Sequence, residues 1–104
     1  MTPSISSYQK LYSQFISPAY PEISELQVKK PDFPFSVISA VRVDIFLRPM
    51  DRFDHDIKRK ICVRLLSGIT EKIHELNRYL GQKTTIDLNI YYGGEVICHD
   101  IINW

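Results

Sequence analysis

The chain has 104 residues and a formal charge of +1 from 13 Lys+Arg against 12 Asp+Glu, is 44% hydrophobic, and contains six prolines, four glycines and two cysteines. A chain of this size buries roughly 60% or more of its unfolded surface, enough for one core without metals or disulfides. It is too apolar for a disordered chain, too poor in cysteine for a disulfide scaffold and too balanced in charge for a strongly basic nucleic-acid binder. No run approaches the ~18 apolar residues of a membrane span. The opening MTPSISSYQK has neither the charged nor the apolar region of a secretory signal. A cytoplasmic protein with no membrane partner is therefore expected.

The first apolar pattern is Ile5, Tyr8, Leu11, Tyr12, Phe15 and Ile16 at helical spacing. With Ser4 as N-cap and Ser17-Pro18 as a stop, it predicts a short amphipathic helix over residues 4–16. So short a helix is marginal alone in water, so its apolar stripe is expected to dock. Pro18, Pro21, Pro31 and Pro34 then mark a connector, because proline fixes φ and lacks an N–H. Within it, Ile23–Lys30 has room for at most a short edge strand. Residues 1–36 thus read as a helix with a Pro-rich arm, and 37–104 as a compact unit.

Residues 37–48 alternate, with Val41, Val43, Ile45 and Leu47 on one face and Arg42, Asp44, Phe46 and Arg48 on the other. That predicts a strand, ended by Pro49. Asp51, Asp54 and Asp56 then supply an N-cap and negative charge to a helix N-terminus. The stripe Ile57, Ile61, Leu65, Ile69, Ile73, Leu76, Leu80 predicts a helix over 54–80. It would be about 40 Å long, with Gly81 at its C′ position and a bend expected at Ser67-Gly68. Two further alternating runs, 84–92 and 95–103, flank Gly93-Gly94. Gly-Gly suits a type I′ turn, so these form a hairpin. The expected fold is α+β, a two-layer helix-on-sheet β-α-β-β unit with a right-handed crossover, to which Ile23–Lys30 could add a fourth strand.

A regular hairpin around that turn opposes Ile90 to Ile97, Leu88 to His99 and Ile86 to Ile101 on an aliphatic face that takes the helix. The other face pairs Tyr91 with Val96, Asn89 with Cys98, Asp87 with Asp100 and Thr85 with Ile102. A slip of one residue would invert this. In that register Cys98 points away from the helix and Cys62 towards the sheet. They stay farther apart than the ~7 Å a disulfide tolerates, as two free thiols in a reducing compartment. The outer face carries Phe46, Asp87, Tyr91, Val96, Asp100, Ile102 and Trp104, an acidic centre with an aromatic rim. These seven are the candidate partner-binding residues. The competing reading has Arg42 or Arg48 neutralise the aspartates while the N-terminal helix covers the apolar part. Two carboxylates alone are a thin metal-ligand set, and neither a metal nor a cofactor is expected.

Catalytic signals are sparse. His55, His74 and His99 share no metal-ligand spacing and neither cysteine has a CxxC partner. His99 and Cys98, as neighbours on a strand, point to opposite faces. There is no phosphate-binding glycine loop and no nucleophile elbow. His55, between Asp54 and Asp56, could serve as an acid/base. Lys58, Arg59, Lys60 and Arg64 form a basic run, while the final stretch from Thr84 holds three acids and no Lys or Arg. Such a division suits electrostatic steering towards a charged partner. The sequence therefore reads as a non-catalytic interaction module, such as an inhibitor, an immunity or antitoxin-like protein, or a small assembly subunit. It would bind another protein, or a second copy, through the outer sheet face and the N-terminal arm. The alternatives are nucleic-acid binding through Lys58, Arg59, Lys60 and Arg64, or a small enzyme centred on His55 with Asp54 or Asp56.

Overall fold

The computed structural model describes residues 5–30, 40–81 and 84–103. In chain order these form α1 (Ile5–Phe15), a 3-10 turn at Ser17–Ala19, β1 (Ile23–Lys29), β2 (Ala40–Leu47), α2 (His55–Leu80), β3 (Thr85–Tyr92) and β4 (Glu95–Ile102). The four strands make one mixed sheet in the order β1-β2-β3-β4. The β1–β2 and β3–β4 pairs are antiparallel, and the β2–β3 pair, joined through α2, is parallel. The fold is α+β with helices packed on a sheet, as the alternating and helical periods require. Ser4, residues 37–39 and Trp104, to which the sequence reading assigned a cap, a strand start and a binding residue, lie outside the described residues.

Local signals set the ends of α2. Asp54 is its N-cap and accepts a hydrogen bond from the Ile57 N–H (3.0 Å), while Gly81 closes it in the left-handed region at φ 66°. Ile61, Leu65, Ile69, Ile73 and Leu76 are the buried stripe. The helix runs unbroken through Ser67-Gly68. What Gly68 supplies is room, because a Cβ there would overlap the Tyr20 hydroxyl.

The leader lies on the same side of the sheet as α2 and runs antiparallel to it. The Tyr8 hydroxyl bonds Thr84 Oγ1 (2.9 Å) beyond the C-terminus of α2. Lys72 Nζ sits 5.0 Å from the centre of the Phe15 ring, Tyr20 meets Gly68, and Glu22 pairs with Arg64. Tyr8, Tyr12 and Ile16 therefore join Leu65, Ile69, Ile73, Val43, Ile45, Ile86, Leu88 and Ile90 in one apolar core. Docking resolves the marginal stability of so short a helix, because the buried stripe supplies what isolated helix formation lacks.

Both sheet edges are guarded. On β1 the Gln9 amide donates to Leu26 O (2.6 Å) and accepts from Val28 N–H (2.7 Å), occupying the backbone groups that a further strand would use. On β4 a one-residue bulge interrupts the ladder. Tyr91 faces Val96, but Ile90 faces Cys98, leaving Ile97 as the extra residue. Bulges and inward-pointing charges discourage edge-to-edge pairing, and here the bulge turns Asp100 towards the helix side.

Candidate functional site

The bulge redistributes the hairpin's side chains. The register expected from the sequence holds for the two rungs beside the turn, where Gly93 and Gly94 adopt φ 60° and 83°. Beyond Ile97 it shifts by one, so that Leu88 opposes Asp100, Asn89 opposes His99, Asp87 opposes Ile101 and Ile86 opposes Ile102. Of the seven expected partner-binding residues, Phe46, Asp87, Tyr91 and Val96 lie together on the outer face. Asp100 and Ile102 do not. Ile102 is 3% exposed and belongs to the core, and Asp100 points to the helix side, where its Oδ1 accepts from the Ile101 N–H (2.9 Å). The physical reason is relief of two faults of the regular hairpin. It would have placed the imidazole of His99 against Leu88 in the core, and Asp87 directly opposite Asp100, a like-charge pair that costs stability.

His99 and Ile101 take the vacated outer positions, and neither was among the candidates. His99 Nε2 lies 2.7 Å from Asp87 Oδ1, and the same oxygen accepts from Asn89 Nδ2 (3.3 Å). Asp87 thus gains a partner in place of a repulsive neighbour. On the adjoining strands Asp44, 1% exposed, is held by Arg42 Nε (2.9 Å) and Lys29 Nζ (3.4 Å). Arg42 also donates to the Tyr91 hydroxyl (2.7 Å). The Asp44 carboxylate, seconded by that hydroxyl, holds the Arg42 guanidinium well above its ordinary range.

Next to this polar network Phe46 and Tyr91 stack at 4.8 Å and an interplanar angle of 16°. Val96 and Ile101, on β4, are 49% and 40% exposed. The outer face therefore has a satisfied charged centre and an aromatic and aliphatic side. The N-terminal helix, expected as its cover or as a docking arm, packs on the opposite face.

The other candidate groups do not assemble. Of the basic run, Arg64 is ion-paired to Glu22, and Arg59 lies 3.7 Å from Asp56. His55 is exposed at the first turn of α2, and Asp54 beside it is already engaged by Arg52 (2.7 Å) and the Ile57 N–H. A cavity of about 250 Å³ is lined by Phe15, Glu75, Leu76 and Tyr79. It sits near the far end of α2, some 30 Å from His55 at 1.5 Å per residue. Among the described residues no three His, Cys, Asp or Glu side chains group as metal ligands, and no helix is long and apolar enough to cross a membrane. The chain matches no protein-family model, no curated protein and no solved structure, so its functional reading rests on the site itself.

Proposed function

We propose that the protein is a non-catalytic interaction module that presents the outer face of its sheet to another protein. The observation that carries this reading is the placement of both helices on one side of the sheet, with the Phe46–Tyr91 stack, Val96 and Ile101 on the other. Aromatic residues are enriched at interface cores, where buried anchors dominate binding energy. Lys29 and His99, about half exposed beside the stack and held from beneath by Asp44 and Asp87, offer polar groups for orienting a partner. Guarded edges favour face-on docking over strand addition. A small inhibitor, an immunity or antitoxin-like protein, or an assembly subunit fits this surface. A cytoplasmic setting fits the two free thiols.

The test is the double substitution Val96→Glu plus Ile101→Glu in the full chain. The expected result is a drop of tenfold or more in recovery of the partner that wild type retains, or dissociation of a wild-type homodimer by sedimentation, with the unfolding midpoint unchanged. An assembly that survives the substitution overturns the reading, as does a wild-type chain that stays monomeric and retains no protein at low salt. A salt-sensitive nucleic-acid complex lost instead on Lys60→Glu plus Arg64→Glu would assign binding to the basic run.

A further inference from the structure

The bulge in β4 has a second effect, on the cysteines. Regular alternation points Cys98 away from the helix, yet in the observed register it faces the core side opposite Ile90. There it packs half-buried against the core. Cys62 follows the buried Ile61 on α2, and its thiol donates to the Ile97 carbonyl at 3.4 Å, the peptide immediately before Cys98. Burial above all, and then the neighbouring Cys62 thiol, push the Cys98 thiol above its ordinary range. Cys98 thus lies on the same side of the sheet as Cys62, where the sequence reading set the two on opposite sides, and the Cys62 thiol reaches across the seam between α2 and β4 to the Ile97 carbonyl.

We propose that Cys62 and Cys98 form a reversible intramolecular disulfide that fastens α2 to the edge strand β4. The oxidant is a small disulfide of the glutathione class. One cysteine, deprotonated to solvent, attacks a sulfur of the oxidant and one reduced thiol leaves. The second cysteine, losing its own proton, attacks the mixed disulfide and the second reduced thiol leaves. Two electrons pass from the cysteine pair to the oxidant, which ends as two thiols. Either cysteine can make the first attack, and the other resolves the adduct. The bond closes the chain between residues 62 and 98 into a loop, which constrains the unfolded state. It also fixes the strand that carries Val96, His99 and Ile101. The pairing stands on the helix–strand geometry and is independent of the partner reading.

The experiment incubates the reduced full chain with glutathione disulfide and follows free thiols by maleimide labelling and intact mass. The expected product is monomeric, carries no glutathione, and is lighter by about 2 Da for the two hydrogens lost. Its unfolding midpoint rises on the order of 10 °C, and dithiothreitol reverses both changes. Cys62→Ser and Cys98→Ser variants stop at a glutathione adduct, or stay reduced, and show no such rise. A wild-type chain that keeps two labelled thiols, accumulates mixed adducts or crosslinks between molecules overturns the proposal. An internal bond that lowers the midpoint overturns its fastening role.

Discussion

Tyr8 and Tyr12, one helical turn apart with ring centroids 5.6 Å apart, show how the same residue type can have opposite energetic consequences. Both are buried, but Tyr8 bonds Thr84 whereas the Tyr12 hydroxyl has no partner among the described residues. Burial first, and then the neighbouring Tyr8, push the Tyr12 hydroxyl above the ordinary tyrosine range, so it stays protonated. A buried hydroxyl without a partner costs about 1–3 kcal/mol relative to one that is bonded. Tyr12→Phe is therefore expected to be neutral or to stabilise by up to about 1 kcal/mol, while Tyr8→Phe destabilises by about 1–2 kcal/mol by orphaning Thr84. Urea midpoints of the two variants check the sign. Gly68 supplies a second case. Helix propensity alone favours Gly68→Ala by about 1 kcal/mol, but the added methyl meets the Tyr20 hydroxyl. Overpacking of this kind costs about 1–3 kcal/mol. The variant is expected to be less stable than wild type and to recover in part when combined with Tyr20→Phe, as measured by a double-mutant cycle.

At the scale of elements, the start of α2 is where pH acts on a local signal. The Ile57 N–H, and after it the Arg52 side chain, hold the Asp54 carboxyl below its ordinary range. A depressed carboxylate pKa contributes stability that is complete above the unfolded value, about 3.9, and is lost as pH falls through the lower folded value. Wild type is thus expected to lose helix stability below about pH 4. Asp54→Asn keeps a capping acceptor without titrating, so the difference between the two proteins should shrink as pH falls through that window. Denaturant titrations across it give the measurement, and a constant difference would contradict the cap's role. The ends of α2, the hairpin turn and the edge strand β1 were legible in the sequence because each depends on a short-range signal: a capping aspartate, a left-handed glycine, a glycine pair, flanking prolines. The bulge at Ile97 was not. Ile97-Cys98 and Ile101-Ile102 supply an apolar residue to the core face in either register, so alternation does not choose between them.

For the whole molecule, the question is whether the leader is an appendage or part of the core. Tyr8, Tyr12, Ile16, Ile23, Leu26 and Val28 are all buried in the cluster that holds α2 to the sheet. A chain of residues 37–104 would expose the surface these residues cover, and β2 would become an unpaired edge. It is expected to lack a cooperative thermal transition and to bind hydrophobic dyes. Circular dichroism melts alongside the full chain decide it. The site candidates were legible to the extent that their strands lie away from the bulge: Phe46 and Asp87 by alternation, Tyr91 and Val96 by proximity to the turn. Asp100 and Ile102 were misplaced and His99 and Ile101 missed for one shared reason, the single extra residue between them and the turn.

The sequence by itself determined the order and type of the elements, the ends of the long helix, the hairpin turn and the composition of the apolar stripes. These follow from backbone sterics and from periodicities of two and 3.6 residues. Tertiary structure alone decided which face the N-terminal helix covers, where the hairpin shifts register, and therefore that His99 meets Asp87 and that Cys98 turns to the side of Cys62. Those outcomes depend on charges and buried groups brought together from separate elements, and that sum is not written in any local pattern. The near-neutral charge resolves in the same way, as ion pairs distributed between strands and helix rather than as a surface without charge.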